Sequence, residues 1–221
     1  MACFVVTIDG PAASGKSTVA RLVAEQIGAT FLDTGAMYRA VTWAAREDGV
    51  DWHDEPQLAG VIENHAFAFE PAADGLSVVV DGTDVTGQIR SPELTADVRH
   101  VASSPALRAR LVEMQRQFAS QHERVVTEGR DQGTVAFADA AVKFFLVADA
   151  AERARRRQAE LAAQGISSEL DELTQAIEAR DESDRNRAVG PLQPAPDAIR
   201  VDTTKLTIDE VVGRLLNHID R

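Results

Sequence analysis

Apolar residues along this chain follow two spacings in turn, which predicts strands that alternate with helices. Short apolar runs at positions 4–8, 124–128 and 141–148 are typical of buried parallel strands. Apolar residues at helical spacing follow the first run, and the same order of strand and helix returns up to the C-terminus. This alternation predicts an α/β fold in which a parallel sheet carries helices on both faces.

One stretch interrupts this alternation. Residues 66–70 and 76–80 are rich in strand-forming side chains, and the segment from Pro71 to Gly75 between them favours a turn. A second turn at Asp81-Gly82 leads into a short third segment, 83–85. We therefore expect a small antiparallel β insert within the otherwise parallel fold.

The ends of several predicted helices are marked by capping residues. Ser91-Pro92 and Ser104-Pro105 each place serine at the N-cap and proline at the first helical position. Thr207 and Glu210 form a capping box that opens the last helix. The helix that begins near Lys16 is expected to end at Gly28.

The segment Gly10-Pro-Ala-Ala-Ser-Gly-Lys-Ser-Thr18 joins the first predicted strand to the first predicted helix. It fits the pattern G-x-x-x-x-G-K-[ST], in which a glycine-rich backbone turns its N–H groups towards phosphate oxygens. Lys16 would reach the β- and γ-phosphates of a nucleoside triphosphate, and the Ser17 hydroxyl would ligate Mg²⁺. The predicted ATP-binding residues are Gly10, Pro11, Ala12, Ala13, Ser14, Gly15, Lys16, Ser17 and Thr18.

Composition narrows the class of protein further. A formal net charge of −12 over 221 residues argues against binding to nucleic acid or to anionic lipid. The sequence has no apolar run of about eighteen residues and no basic, apolar leader, and Cys3 is its only cysteine. We expect a cytoplasmic monomer without a membrane or nucleic-acid partner, in which arginines hold any phosphate ligand locally.

A second group of charges indicates that the reaction has a second substrate. Residues 153–157 include four arginines on one predicted helix, and Arg180, Asp184 and Arg187 follow at helical spacing on the next. Phosphoryl transfer needs positive charge of this density, and a closing lid would keep water away from the reacting groups. A solvated pair of helices joined by surface salt bridges is the alternative interpretation of the same pattern.

Polar loops follow two of the predicted strands. Thr34 to Arg39 and Gly129 to Asp131 would lie at the carboxyl ends of strands, where ligands bind in open α/β sheets. With Arg108 they supply donors and an acceptor suited to a phosphate and a hydrogen-bonding base. The five histidines are scattered and are expected at the surface, so no side chain stands out as a general base. An acceptor that is already a phosphate anion would need none.

Four motifs beyond a generic phosphate loop carry a family resemblance. They are Leu32-Asp-Thr-Gly-Ala-Met-Tyr-Arg39, Glu128-Gly-Arg-Asp-Gln-Gly-Thr134, the arginine helix, and Arg180-Asp-Glu-Ser-Asp-Arg-Asn-Arg-Ala-Val-Gly-Pro191. With the phosphate loop, they run in the same order as in the bacterial cytidylate kinase family, which this chain resembles over nearly its whole length. The resemblance implies transfer of the ATP γ-phosphoryl group to CMP or dCMP, with Mg²⁺.

The resemblance also implies a P-loop nucleoside monophosphate kinase fold with three regions. Residues 1–35, 105–150 and 190–221 would form the core domain. Residues 36–104 would form the monophosphate-binding region, which contains the β insert. Residues 151–189 would form the arginine-rich helical lid.

Site residues are carried over by their positions in the matching motifs. The resemblance implies that Arg39, Arg130 and Arg187 grip the CMP phosphate. Arg108 and Asp131 would read cytosine, because an ionised carboxylate accepts from its N4 amino group and rejects uracil, which presents an acceptor there. Other predicted contacts are Arg180 and Asp184 on the ribose, Thr34 and Tyr38 beside the acceptor, and Lys16, Arg153, Arg156 and Arg157 on the transferring phosphoryl group.

Two positions depart from the family pattern. Arg99 stands where the family often has a serine that touches the base, and Ser183 replaces a common lid arginine. Thr34 stands where the family usually has serine, and it keeps the hydroxyl. Asp33 and Glu128 could contact Mg²⁺ through water or could cap strand ends.

Two other functions remain open at this stage. The first is a phosphate-loop kinase for another small acceptor, such as UMP, AMP, shikimate or dephospho-coenzyme A. The second is a regulatory switch that hydrolyses ATP and signals to a protein partner. The switch would consume ATP without any acceptor, whereas a kinase would require one.

Overall fold

A computed structural model describes residues 3–72, 75–163 and 165–219. Its central sheet has five parallel strands in the order β2-β6-β1-β7-β8. These strands are β1 (Phe4–Asp9), β2 (Thr30–Asp33), β6 (Arg124–Gly129), β7 (Val142–Val147) and β8 (Ile199–Asp202). In the register, Asp9 at the end of β1 lies beside Gly129 at the end of β6 and beside Phe145 of β7.

Helices cover both faces of this sheet, as the alternating pattern predicts. They are α1 (Lys16–Gln26), α2 (Thr34–Glu47), α3 (Glu55–Asn64), α4 (Pro92–Ser103), α5 (Pro105–Ser120), α6 (Ala150–Ala163), α7 (Leu170–Arg185) and α8 (Ile208–Ile219). Val5 packs in one apolar cluster with α2 and α5, whereas Val6 and Ile8 pack in another with α1 and α8. Because side chains alternate along a strand, β1 supplies both clusters. The predicted α/β fold class is confirmed.

The antiparallel insert is present as a three-stranded sheet of β3 (Phe67–Ala72), β4 (Gly75–Val80) and β5 (Thr83–Asp84). Leu76, Val78 and Val80 of β4 are buried in the same cluster as α2. The hairpin strands extend further into the predicted turn than expected, to Ala72 on one side and from Gly75 on the other. Positions 73 and 74 of that turn lie outside the described residues.

The predicted helix caps form. Ser91 and Ser104 accept hydrogen bonds from the amides of Leu94 and Leu107, and Thr207 and Glu210 bond each other's backbone. The sequence predicts a helix that begins at Ala36, after Thr34-Gly35. Helix α2 instead starts two residues earlier, at Thr34, because the Asp33 side chain accepts from Ala36 N and makes Asp33 the N-cap. Within the described residues, no helix combines the length and apolar character that crossing a bilayer would require.

Candidate active site

The phosphate loop lies between the end of β1 and the start of α1. Gly10 packs so closely on β7 that a Cβ there would lie 2.5 Å from the carbonyl oxygen of Leu146. Gly15 precedes α1 with φ 83°, a left-handed conformation that favours glycine. Within the described chain no side chain caps the first turn of α1, so its N–H groups are available to an anion. The loop can therefore hold a phosphate group.

Lys16 and Ser17 both contact Glu128, which stands near the end of β6. The Ser17 hydroxyl donates to Glu128 Oε1 at 2.9 Å, and Lys16 Nζ lies 3.8 Å from Glu128 Oε2. Burial, reinforced by nearby Arg130, lowers the pKa of Lys16 to about 7. A bound phosphate would restore the full charge of this lysine. The oxygens of Ser17 and Glu128 are hard donors of the kind that Mg²⁺ prefers, so the residues present fit that ion.

Two cavities adjoin at the carboxyl edge of the sheet. The outer cavity is lined by the phosphate loop and by Arg39 and Arg157. The inner cavity is lined by Thr34, Tyr38 and Arg108, together with other residues described below. Both cavities share four lining residues, which are Gly35, Glu128, Arg130 and Arg180. The two cavities therefore meet in one cleft, beside Lys16.

A buried ion pair lies in the inner cavity. Arg108, on α5, donates through Nη2 to Asp131 Oδ2, and both side chains are buried. The Arg108 guanidinium also lies 5.9 Å from the centre of the Tyr38 ring. Burial raises the pKa of Asp131, and the Arg108 charge opposes that rise. With Val98 and Ala102 as apolar neighbours, this pair suits a flat ligand with hydrogen-bonding edges.

Asp184 joins two arginines that line the inner cavity, although Asp184 itself is not among the residues that line either cavity. Arg130 Nε donates to Asp184 Oδ2 at 2.8 Å, and Arg187 donates to the other oxygen. Although burial favours a protonated Asp184, Arg130 and Arg187 outweigh it and hold its pKa below the usual value. Arg180 also lines both cavities, and desolvation together with Arg130 lowers its pKa to about 10. Arg180 therefore stays charged at neutral pH.

Helix α2 brings three more predicted residues to the cleft. The Thr34 hydroxyl donates to the Glu128 carbonyl oxygen at 2.7 Å, and Tyr38 is buried beside Arg108. Arg39 donates to Asp33 Oδ2 at 3.1 Å. Within the described residues, the Nε atoms of Arg39 and Arg108 are buried and have no hydrogen-bond partner. Such donors cost free energy until a ligand satisfies them.

The three arginines predicted on the transferring phosphoryl group differ in position. Arg153 is buried, forms a 2.6 Å ion pair with Asp181 on α7, and donates to the Ala12 carbonyl oxygen at 3.1 Å. Arg156 donates to Thr203 Oγ1 and to the Thr203 carbonyl oxygen, at 3.1 and 2.6 Å. Of the three, Arg157 lines the outer cavity, and its Nη1 donates to Glu160 at 3.0 Å.

The two departures from the family pattern lie at the edge of the site. Arg99 is exposed, and its Nε donates to His100 Nε2 at 3.3 Å. Its neighbours Val98 and Ala102 line the inner cavity instead. Ser183 is exposed on α7. Next to Arg99 the chain therefore presents the apolar side chains of Val98 and Ala102 to the inner cavity, and at position 183 helix α7 carries a serine in place of an arginine.

Sequence reasoning did not reveal how three residues hold this site together. Asp9 binds the loop after β6, Asp181 pairs with Arg153, and Thr203 holds both Arg156 and the carbonyl oxygen of Ser14. Asp9 stands directly before the phosphate-loop motif, which is a usable signal for its position. The partners of Asp181 and Thr203 lie 28 and 47 positions away, and no spacing rule connects them.

Comparison with known proteins gives a consistent result. The sequence profile of the family described as Cytidylate kinase matches residues 6–221. A protein of Limosilactobacillus reuteri (strain DSM 20016), named cytidylate kinase, is 49% identical over 211 residues, which cover 95% of this chain and 92% of that protein. A cytidylate kinase of Anoxybacillus flavithermus is 46% identical over 96% of this chain and 93% of its own length.

A further relative aligns end to end. The cytidylate kinase of Leuconostoc mesenteroides subsp. mesenteroides is 44% identical over 220 residues, which cover 100% of this chain and 98% of that protein. Among solved structures, an uncharacterized protein from Eubacterium ventriosum covers 98% of this chain and 98% of its own length. It has a TM-score of 0.53 and 13% identity. At that identity the likeness concerns the fold alone.

Proposed function

This chain belongs to the cytidylate kinase family, and on that basis we propose that it transfers the γ-phosphoryl group of ATP to CMP or dCMP, giving ADP and CDP or dCDP. One observation supports this proposal most. The cavity at the phosphate loop and the cavity at the Arg108–Asp131 pair share four lining residues. A donor in one and an acceptor in the other would meet end to end, as direct transfer requires.

ATP binds with its phosphates in the outer cavity. The N–H groups of residues 10–18 hold the β- and γ-phosphates, and Lys16 adds its charge between them. The Ser17 hydroxyl would hold Mg²⁺, and Glu128, which accepts from that hydroxyl, would contact the ion through water. When bound, the ion supplies positive charge to the two phosphates that separate during transfer.

CMP binds with its base in the inner cavity. Asp131 accepts from the cytosine N4 amino group, while the Arg108 charge favours the ionised form of that carboxylate and its guanidinium donates to the ring. Arg180 and Asp184 hold the ribose. Arg39 lines the outer cavity, Arg187 the inner and Arg130 both, so a CMP phosphate gripped by all three lies where the cavities meet. A phosphate acceptor that is already an anion carries no proton that a base must remove, so the proposed transfer needs no general base.

Closure completes the site. We propose that residues 151–189 form a lid whose arginines approach the transferring phosphoryl group, with Arg157 nearest in this conformation and Arg153 and Arg156 as supports of the phosphate loop. Residues 36–104 form the acceptor region, and the rest of the chain forms the core. One chain supplies both halves of the cleft, so we propose that the enzyme acts as a monomer, in the cytoplasm where its nucleotides occur.

The test is a coupled assay of ADP release with CMP, dCMP, UMP, AMP, shikimate and dephospho-coenzyme A as acceptors. CMP and dCMP should exceed UMP by at least about tenfold, because uracil presents an acceptor to Asp131. The variant Asp131→Ala should reduce that preference. UMP or AMP as the better acceptor, or ATP consumption that needs no acceptor, would contradict the proposal.

A further inference from the structure

A buried carboxylate stands behind the site and touches neither cavity. Asp9 is only 4% exposed at the end of β1. Its Oδ1 accepts from the backbone N–H of Gln132 and its Oδ2 from that of Gly133, each at 2.8 Å. Asp9 is not among the residues that line either cavity, although Gly10, the first residue of the phosphate loop, follows it directly. Its partners belong to the loop after β6.

That loop carries the residues proposed to recognise the acceptor. Arg130 and Asp131 immediately precede the two amides that Asp9 accepts from. The amides open a short helical turn, Gln132–Ala136, so they lack carbonyl partners within it. Both oxygens of one carboxylate thus fix the backbone directly after Asp131.

The side chain of Gln132 anchors the same loop from two other directions. Thr127 Oγ1 donates to Gln132 Oε1 at 3.0 Å, and Gln132 Nε2 donates to Gln115 Oε1 at 3.3 Å. Gln115 lies on α5, two turns after Arg108. The anchor therefore connects the element that carries Arg108 with the loop that carries Asp131.

The packing around this anchor leaves little room for the loop to shift. A Cβ on Gly133 would lie 2.9 Å from Thr7 Oγ1 and 3.4 Å from Asp9 Oδ2. Asp9 itself is fixed by parallel pairing with Gly129 and Phe145 on either side. Burial raises the pKa of Asp9 to about 7, with Asp131 adding to the rise, while the two amides and Arg130 oppose it. Burial therefore disfavours the ionised form of Asp9, and the two amide donors favour it.

We propose that Asp9 is a positioning residue, which sets the place of Arg130 and Asp131 through the backbone of Gln132 and Gly133 and so governs acceptor binding without touching either nucleotide. The part concerning CMP rests on the proposed function. The part concerning the loop does not rest on it, because the hydrogen bonds from Gln132 and Gly133 to Asp9 involve no ligand.

The test uses Asp9→Asn, which keeps the volume but replaces one acceptor oxygen with an NH₂ group that faces an amide donor. Amide hydrogen exchange at Gln132 or Gly133 should become at least about tenfold faster, because one buried N–H loses its partner. The KM for CMP should rise about tenfold while the KM for ATP stays within about twofold, because the β1 pairing that places Gly10 is unchanged. The preference for CMP over UMP should also fall.

The variant Thr207→Ala is the matched control, because it removes the N-cap hydrogen bond of α8, and neither Thr207 nor its partner Glu210 lines either cavity. It should lower thermal stability and leave both KM values unchanged. If Asp9→Asn does not fold, Thr127→Val removes the hydroxyl that donates to Gln132 and should raise the KM for CMP in the same selective way.

Three outcomes would overturn the proposal. They are unchanged exchange at both amides, equal increases in the two KM values, and a loss of stability with no change in the KM for CMP. Amide exchange is measured without substrate. If the wild-type enzyme did not phosphorylate CMP, the proposed function would be refuted, and amide exchange alone would decide whether Asp9 holds the loop.

Discussion

Individual arginines around the cleft differ in which cavity they reach, and this difference can be measured. Arg187 lines the inner cavity and bonds Asp184, whereas Arg157 lines the outer cavity and bonds Glu160. Side chains of the same type thus stand on opposite sides of the proposed transfer.

We expect reciprocal effects from Arg187→Ala and Arg157→Ala. The first should raise the KM for CMP by about tenfold to a hundredfold, since it removes a charged contact to the acceptor phosphate, and should leave the KM for ATP nearly unchanged. The second should act mainly on the ATP side or on kcat. Steady-state kinetics with each substrate varied in turn measures both. Equal losses on the two sides in either variant would contradict the assignment.

The sequence could predict the residues of this site that lie within recognisable motifs. Lys16 and Ser17 follow from the phosphate loop, and Asp131 and Arg187 follow from motifs that the family shares. Asp9 and Asp181 could not be predicted, because their roles depend on partners that only packing brings close, at sequence separations of 123 and 28. Arg153 shows the same limit, because its sequence position does not reveal that it is buried against the phosphate loop.

At the scale of elements, a buried ion pair joins α6 and α7 to the phosphate loop. Arg153 on α6 donates to the carbonyl oxygens of Ala12 and Ala148 and pairs with Asp181 on α7. Asp181 Oδ1 is buried without a hydrogen-bond partner within the described residues, and Arg185 lies 3.8 Å from Oδ2. Arg153 therefore links α7, through Asp181, to the phosphate loop, through the carbonyl oxygen of Ala12.

We expect Asp181→Asn to destabilise the protein by about 3 kcal/mol or more, because it leaves the Arg153 charge buried without a counter-ion. For a chain of this length that corresponds to a fall in Tm of roughly 6 to 12 °C. The KM for ATP should rise as well, because Arg153 also holds Ala12. Asp171→Asn, on the exposed side of α7, is the control and should change neither quantity. A fall in Tm of less than about 2 °C would mean that the pair is not the support we describe.

Elements differ in how far the sequence determines their limits. The Ser-Pro caps of α4 and α5 act through side chains next to the helix, so local sequence places those ends correctly. The sequence predicts that α2 starts at Ala36, because Thr34-Gly35 resembles the end of a strand. The helix starts earlier because the Asp33 side chain accepts from the Ala36 amide. The sequence predicts hairpin strands that are too short, because Pro71 is typical of a turn. In the structure Pro71 pairs with Leu76 within the hairpin.

At the scale of the whole molecule, one histidine connects the end of α2 with the β insert. His65 Nε2 lies 2.9 Å from Asp48 at the end of α2, and its Nδ1 lies 2.5 Å from Asp81 after β4. The hydrogen bonds to Asp48 and Asp81 raise the pKa of His65. The backbone amide of Ala66 and then His65 lower the pKa of Asp81. The scattered histidines are expected at the surface, yet the His65 side chain is only 15% exposed.

The stability that this histidine contributes should depend on pH. A raised folded pKa means that the contribution is fully present below the unfolded value of about 6.5 and is lost as pH rises through the folded pKa. The lowered pKa of Asp81 sets the acid limit, below about pH 4. Wild type should exceed His65→Gln in Tm by about 3 °C at pH 5.5, and the difference should shrink by pH 8.5. His218→Gln, at an exposed position, is the control. A difference that grows with pH would contradict this explanation.

The arrangement of the two cavities also restricts the chemistry of the whole enzyme. Because Gly35, Glu128, Arg130 and Arg180 line both cavities, the cavities form one space, and the donor and acceptor that we propose to bind there would have no protein layer between them. The side chains nearest the junction are a carboxylate that already accepts from Ser17 and guanidinium groups that are not nucleophiles. A phosphorylated enzyme intermediate is therefore unnecessary, and both nucleotides must be bound together for transfer.

This geometry predicts that labelled ADP does not exchange into ATP unless the acceptor is present. An enzyme that first phosphorylates itself would catalyse that exchange with ATP and ADP alone, and a regulatory switch would release phosphate under the same conditions. We expect exchange and phosphate release without CMP to be at least about a hundredfold slower than the forward reaction, because the acceptor supplies the attacking oxygen and excludes water. Addition of CDP and CMP should restore exchange in the wild type. Exchange without either cytidine nucleotide, at a rate near that of the forward reaction, would refute direct transfer in a single cleft.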